Sequence, residues 1–248
     1  MIFVKSEKEI DLMREPCRIV KETLAFVGSK IKAGMTTKEV DELVERYIRS
    51  EGAYPSCLGY EGYPASACIS VNEVVVHGIP DDETVLRDGD IVSVDLCAYK
   101  NGYHGDGCRT FCIGEVSPEV KQLVRVTEEC FFKGIEGLRA GTPLYDIGYR
   151  VQQYAESFGY GVIRAYTGHG IGREMHEDPS VPNYGRQGTG GRLKAGTVLC
   201  VEPMIAMGDY HLRILPDGWG AVTKDGKPAA HYENTLVIRE DGVEILTL

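Results

Sequence analysis

Two apolar segments that each end on an acidic residue constrain this chain most. Residues 86–95 read Leu-Arg-Asp-Gly-Asp-Ile-Val-Ser-Val-Asp, and residues 193–202 read Leu-Lys-Ala-Gly-Thr-Val-Leu-Cys-Val-Glu. Asp95 and Glu202 therefore occupy equivalent places, 107 positions apart. A carboxylate at the end of a buried strand costs several kcal/mol unless it is paired or binds a metal. The repetition of this costly feature predicts a metal centre between two related halves.

The repeat extends to the segments that precede these strands. Residues 33–40 (Ala-Gly-Met-Thr-Thr-Lys-Glu-Val) match residues 140–147 (Ala-Gly-Thr-Pro-Leu-Tyr-Asp-Ile) at the same offset. An interval of about 100 residues is too long for a solenoid, whose repeats run roughly 20–50 residues. We therefore expect an α+β fold made by duplication, with residues 1–117 and 118–248 as the two halves of a single domain.

Helical periodicity places two helices in the first half. Residues 5–27 read as an amphipathic helix. In the next helix the apolar residues recur at three- and four-residue intervals, which is typical of one buried face. The residues with this spacing are Val40, Leu43, Val44, Tyr47 and Ile48. Thr36 or Thr37 can cap this helix, and we expect Pro143 in the first turn of its partner in the second half.

Composition limits the classes of function. With 248 residues, 43% of them hydrophobic, the chain can bury a large core without needing two domains. A formal net charge of −10 argues against a broad nucleic-acid surface, so we expect no DNA partner. We find neither an apolar run of about 18 residues nor a secretory signal, and therefore expect no membrane association. The eight cysteines form no Cys-x-x-Cys pair, which favours reduced thiols in the cytoplasm.

A second aspartate, Asp106, follows Asp95 across a predicted hairpin. The segment between them contains the Asn-Gly pair, at residues 101–102, that is typical of a two-residue turn. Such a turn pairs Asp95 with Cys108 and puts Asp106 on the same face. Diagonal neighbours of this kind lie roughly 7–8 Å apart, close enough for both carboxylates to bind cations. Without a cation they would repel, so a raised pKa or a solvated edge is the alternative.

Four further side chains extend this acidic pair. His169 lies in Thr-Gly-His-Gly-Ile-Gly, His176 follows seven residues later, Glu202 precedes a proline, and Glu233 leads into a strand. The glycines lack both the P-loop lysine and the Gly-x-Gly-x-x-Gly spacing, so we expect no phosphate site. A single histidine in such a place is more often structural than ligating. The combined set on a duplicated scaffold indicates a metal centre.

Six motifs along the chain carry a resemblance to a known family. They are Tyr-Glu-Gly-Tyr-Pro at 60–64, Asn-Glu-Val-Val-Val-His-Gly-Ile-Pro at 72–80, His-Gly-Asp at 104–106, Gly-His-Gly-Ile-Gly at 168–172, Val-Glu-Pro-Met at 201–204 and Tyr-Glu-Asn-Thr at 232–235. Together they resemble the type I, bacterial-like methionine aminopeptidases of the M24 family, over essentially the whole chain. The resemblance implies the pita-bread fold, a pseudo-two-fold α+β domain with a curved antiparallel sheet and outer helices.

The resemblance also implies a dinuclear metal site. Its five ligands would be Asp95, Asp106, His169, Glu202 and Glu233. Asp106 and Glu233 would bridge the ions, Asp95 would complete one site, and His169 with Glu202 would complete the other. Two such ions lower the pKa of a shared water and polarise a carbonyl group. This oxygen-rich set suits Mn, Fe(II) or Co(II) at least as well as Zn.

The remaining roles that the resemblance implies concern catalysis and substrate binding. Glu202 would be the general base, while His77 and His176 would stabilise the oxyanion and hold the peptide. The methionine pocket would contain Cys57, Tyr60, Tyr63, Cys68, Met175 and Trp219. Core packing is the alternative for the two tyrosines, and a surface anchor for the tryptophan. Met175 stands where the family often has an aromatic residue, and His231 where it often has glutamine.

The resemblance implies that a cytoplasmic monomer removes the initiator methionine from nascent chains with a small second residue, near the ribosome exit tunnel. Three alternatives compete with this interpretation. A prolidase or aminopeptidase P shares the five ligands, but normally has a further N-terminal domain and Glu-Pro-Gly in place of Glu-Pro-Met. A non-catalytic binding module would have lost ligands. A two-metal hydrolase of another fold would not have the Gly-His-Gly-Ile-Gly context.

Overall fold

The structure is a computed structural model that describes residues 2–248. Its helices are α1 (Glu7–Gly28), α2 (Thr37–Ser50), α3 (Pro118–Ile135), α4 (Tyr145–Ser157) and a 3₁₀ turn at Tyr60–Gly62. Its strands are β1 (Tyr54–Pro55), β2 (Cys68–Val71), β3 (Val74–Val76), β4 (Ile91–Lys100), β5 (Tyr103–Cys112), β6 (Gly161–Val162), β7 (Gly168–Gly170), β8 (Glu177–Val181), β9 (Val198–Val201), β10 (Met204–Ala206), β11 (Leu212–Ile214), β12 (Ala221–Thr223), β13 (Ala229–His231), β14 (Glu233–Ile238) and β15 (Val243–Ile245).

Capping residues fix where the first two helices begin. Ser6 caps α1 and Thr36 caps α2, each in a reciprocal hydrogen-bonded box with a glutamate three residues later. Both helices were predicted, and Thr36 is the cap. The prediction for Pro143 was wrong, because α4 begins at Tyr145 and Pro143 instead forms a bridge with Arg192.

One antiparallel sheet, in the order β1-β4-β5-β14-β9-β7-β8, forms the centre of the molecule. β2 pairs with β4 at one end, and β15 pairs with β14. The Asn-Gly turn produces the predicted register, with Lys100 opposite Tyr103 and Asp95 opposite Cys108. The curved sheet with helices against it confirms the predicted α+β pita-bread architecture.

Each half contributes a helical pair that packs on this sheet. In the first half, Val20 of α1 and Val44 of α2 share a fully buried cluster with Val94 of β4. In the second, Ile135 of α3 and Ile147 of α4 share a buried cluster with Leu199 of β9. Burial of each such aliphatic side chain stabilises the fold by roughly 1.5–3 kcal/mol.

α1 lies unusually close to β5. A Cβ at Gly105 would come within 2.6 Å of the backbone nitrogen of Cys17, so this position of β5 has room only for glycine. The contact sets α1 against the strand that contains Asp106. Among residues 2–248, no helix has the length and apolar character needed to cross a membrane.

Candidate metal centre

The five predicted ligands lie on, or directly after, five neighbouring strands. Asp95 lies on β4, Asp106 on β5, Glu233 at the start of β14, Glu202 directly after β9 and His169 on β7. Because β4, β5, β14, β9 and β7 are consecutive in the sheet, residues far apart in sequence meet at one place.

Strand register puts these side chains on one face of the sheet. Cys108 is opposite both Asp95 and Glu233, and Asp106 lies two residues from Cys108 on the same face. His169 is opposite Cys200, and Glu202 follows Cys200 by two residues. The alternation of side chains along each strand therefore directs all five ligands to the concave site.

The ligand atoms are close to one another. Nε2 of His169 lies 3.5 Å from Oε1 of Glu202 and 3.9 Å from Oδ2 of Asp106. Ligand atoms of Asp106, His169, Cys200 and Glu233 all lie within 4.8 Å of each other. These separations suit donors around a shared cation.

Burial leaves the carboxylates in need of a counter-charge. It raises the pKa of Asp95 to about 7. Burial, together with the neighbouring carboxylates, also raises the pKa values of Asp106, Glu202 and Glu233 well above their usual range. Oε1 of Glu233 has no hydrogen-bond partner among residues 2–248. A divalent cation would offset this repulsion and engage the unpartnered oxygen, so the residues present fit the metal that the sequence predicts.

His169 has the hydrogen bonding and the protonation state that a neutral metal ligand needs. Its Nδ1–H donates to the carbonyl of Gly170 at 2.9 Å, which leaves the lone pair on Nε2 facing the carboxylates. Burial, and then the neighbouring His176, lower the pKa of His169 to about 3. A Cβ at Gly168 would lie 2.3 Å from the carbonyl oxygen of Cys200, so glycine permits the approach of β7 to β9.

Cys200, one of the eight cysteines expected to be reduced, is fully buried. Its Sγ nevertheless belongs to the ligand cluster and lies 3.6 Å from the hydroxyl of Thr235. The sequence already indicated this position, because Cys200 precedes Glu202 by two residues on a strand and the two side chains therefore face the same side of the sheet. All eight cysteines are free thiols.

Comparisons with known proteins point to one family. Residues 11–240 match metallopeptidase family M24. Methionine aminopeptidase of Clostridium acetobutylicum is 53% identical over 248 residues, covering 100% of this chain and 99% of the relative. Methionine aminopeptidase 1 of Bacillus subtilis is 46% identical over 247 residues, with 100% and 99% covered. The crystal structure of methionine aminopeptidase from Rickettsia prowazekii superposes with a TM-score of 0.98 at 44% identity, covering 100% of both chains.

The chain belongs to the methionine aminopeptidases of metallopeptidase family M24. The family resemblance read from the six motifs is thereby confirmed. Membership makes the chain a metal-dependent hydrolase of the aminopeptidase type.

A cavity of about 350 Å³ opens above the acidic cluster. It brings together every residue that was predicted for substrate binding, namely Cys57, Tyr60, Tyr63, Cys68, His77, Met175, His176 and Trp219. The rings of Tyr63 and Trp219 meet edge-on at 5.1 Å, and Met175 is only 6% exposed. Five further wall residues were not predicted from the sequence, namely Glu61, Val76, Tyr166, Thr167 and Met204.

His77 and His176 both line this cavity. His77 packs edge-on against Tyr166 at 5.1 Å and has a left-handed backbone, with φ of 58°. The His176 ring lies 4.4 Å from that of His169, and its Nδ1 is 2.8 Å from the hydroxyl of Tyr60. Burial, and then His176, lower the pKa of His77 to about 4, and burial lowers that of His176. His77 is therefore neutral at neutral pH.

His231, the second departure from the family pattern, also lines the cavity. It is 2% exposed, and its Nε2 lies 3.9 Å from Oε2 of Glu202 without a hydrogen-bond partner among the described residues. Burial, and then His77, lower its pKa to about 3. A neutral imidazole thus lies next to the Glu202 carboxylate.

Proposed function

We propose that this chain removes the N-terminal methionine from proteins and peptides whose second residue is small. The observation that carries the proposal is the convergence of four carboxylates and one neutral histidine in a cavity whose wall also contains aromatic and sulfur-containing side chains. The activity named for the relatives that match the whole chain supports the substrate.

Metal use by this family is established, and the number and identity of the ions are part of the proposal. Two divalent ions would be held by Asp95, Asp106, His169, Glu202 and Glu233. Four carboxylates offset the charge of two such ions, and the oxygen-rich set suits Mn, Fe(II) or Co(II) at least as well as Zn. When bound, ions of this kind lower the pKa of water and polarise a carbonyl group.

Glu202 would take the proton from the attacking water. Its carboxylate stands between the rings of His169, at 3.5 Å, and His231, at 3.9 Å. Burial and the neighbouring Asp95 and Asp106 raise its pKa, which favours a group that accepts a proton and later donates it to the leaving amine.

His77 and His176, which line the same cavity, would both bind the peptide carbonyl. If the Tyr60 hydroxyl donates to Nδ1 of His176, the Nε2–H of His176 remains available as a donor to the substrate. Donors held in place before the reaction stabilise negative charge on the oxygen without a reorganisation cost.

The apolar wall would select methionine. Tyr63 and Trp219 form an aromatic corner, and the thioether of Met175 and the thiols of Cys57 and Cys68 line the same cavity. Sulfur and aromatic groups make favourable contacts with a thioether. Because the histidines and the acidic cluster confine the space beyond this pocket, a bulky second residue would be excluded.

Methionine aminopeptidases act on protein N-termini, and we infer the remaining partners from that role. Nascent chains would be the substrates, and a cytoplasmic monomer could reach them as they leave the ribosome. The acidic net charge of −10 disfavours DNA as a partner.

Hydrolysis of matched peptides tests the proposed function. The metal-loaded protein should release free methionine from Met-Ala-Ser, and should leave Met-Ile-Ser and Ala-Pro-Ala essentially intact. Mass spectrometry of the three reactions measures this directly. Preferential cleavage of Ala-Pro-Ala would instead indicate a prolidase or aminopeptidase P activity.

A further inference from the structure

A buried ion pair lies beneath the loop that holds Met175 and His176. Lys5, which precedes α1, donates through its ammonium to Oε2 of Glu177. The two side chains are only 5% and 6% exposed, although 172 positions separate them in the sequence. Nothing in the proposed reaction uses this pair directly.

The other oxygen of Glu177 holds the loop itself. Its Oε1 accepts from the backbone nitrogens of Arg173, at 2.9 Å, and Glu174, at 3.4 Å. A Cβ at Gly172 would come within 2.6 Å of this oxygen and within 2.5 Å of Cε of Lys5. Glycine at this position therefore lets the loop fold closely over the ion pair.

The Lys5 backbone is fixed to the strand that leads to Glu202. Its nitrogen donates to the carbonyl of Gly196 at 2.8 Å, and Val4 forms an antiparallel bridge with Thr197 immediately before β9. Lys5 thus connects the start of β9 to the 172–177 loop.

We propose that Lys5 is a positioning residue, whose ammonium orients Glu177 so that the 172–177 loop presents Met175 and His176 to the substrate. The inference rests on the proposed function for the roles of those two residues. Met175 packs on the cavity wall, and His176 lies against Tyr60 and the ring of His169. A shift of the loop would therefore alter both the methionine pocket and the carbonyl donor.

Stability alone does not explain the pair. A buried ion pair gives little net stabilisation compared with apolar side chains of similar volume, because both charges lose their hydration. The pair instead fixes the orientation of the Glu177 carboxylate. Three donors from two parts of the chain converge on this carboxylate. That geometry fixes the loop in one place.

Lys5→Met removes the ammonium and keeps most of the side-chain length. We expect kcat on Met-Ala-Ser to fall about 10- to 100-fold in folded, metal-loaded protein, because small displacements of a catalytic group have effects of this size. Metal content should remain that of the wild type. Hydrogen exchange at the amides of Arg173 and Glu174 should accelerate, and Lys5→Arg should restore much of kcat.

Arg14→Met is the matched control. Arg14 pairs with Glu244 near the same end of the chain, but the two side chains are 44% and 33% exposed. Its loss should leave kcat and the two amides unchanged. Should Lys5→Met fail to fold, Lys5→Met/Glu177→Gln leaves no buried charge unpaired, and the same measurements on that variant decide the question.

Wild-type kcat in a folded, metal-loaded variant without the Lys5 ammonium would overturn the proposal. A loss of kcat that follows only the unfolded fraction, with no rescue by Lys5→Arg, would also overturn it. If the wild-type protein itself releases no methionine, the proposed function fails. Amide exchange at Arg173 and Glu174 then still decides whether Lys5 holds the loop.

Discussion

His169 illustrates how one backbone contact determines the chemistry of a side chain. Donation from Nδ1 to Gly170 fixes the tautomer, and burial keeps the ring neutral, so Nε2 faces Glu202 as a lone pair. The carboxylates show the opposite effect, because burial disfavours their charge unless a cation is bound. Both kinds of residue are thus suited to a metal before any metal arrives.

Glu202→Gln should abolish most turnover while the fold is kept. A neutral amide binds a divalent cation poorly and accepts no proton, so we expect a loss of at least about 10²-fold in kcat. Methionine release under metal saturation measures this. Glu115→Gln is the control, since the Glu115 side chain is 92% exposed. Normal turnover in a folded, metal-loaded Glu202→Gln protein would remove Glu202 from the mechanism.

His176→Ala should lower kcat by about 10²–10³-fold, the effect of removing one oxyanion donor. Metal content, measured by elemental analysis, should stay close to that of the wild type, because we propose that His176 binds the substrate and not the ions. His211→Ala, at an exposed histidine, should change neither quantity. A collapse of metal stoichiometry in His176→Ala would show that His176 is a ligand.

At the scale of elements, the sequence predicted what local chemistry determines. The Asn-Gly turn fixed the register of β4 with β5, and capping residues fixed the helix starts. Pro143 was misplaced because its bridge to Arg192 depends on a tertiary contact. The Lys5–Glu177 ion pair could not be predicted from the sequence, because it also depends on a tertiary contact. The position of His231 beside Glu202 follows only from knowing which strands are neighbours.

Asp41 of α2 holds the backbone that leads to the cavity residue Cys68. This buried carboxylate on α2 accepts from the backbone nitrogens of Ser66 and Ala67, both at 2.9 Å, just before Cys68. Asp41→Ala would leave both donors unsatisfied, so urea unfolding should show a loss of about 3 kcal/mol. Asp11→Ala, which breaks an exposed pair, should cost under about 1 kcal/mol. Equal stability of the two variants would contradict the role of Asp41.

The two halves of the molecule meet at the proposed metal ligands. The hydroxyl of Thr235 on β14 both accepts from the backbone nitrogen of Asp106 and donates to its carbonyl. Arg109 on β5 donates to the carbonyl of Glu233 at 2.6 Å. The duplication predicted from sequence therefore places the site at the joint, and we infer that residues 1–117 and 118–248 form one domain.

If the two halves form one domain, they should unfold together in a single transition. Calorimetry of the metal-free protein should show a single transition whose calorimetric and van't Hoff enthalpies agree. The physical reason is that the sheet runs without a break from β5 to β14. Two resolved transitions would show that the halves fold independently.

Metal reconstitution shows whether methionine release depends on the two proposed ions. The protein is stripped with a chelator, and Mn, Fe(II), Co(II) or Zn is added in steps while methionine release from Met-Ala-Ser is followed. We expect no release from the stripped protein and a return of activity as ions bind, with saturation at two ions per chain. Undiminished methionine release by the fully stripped protein would contradict it.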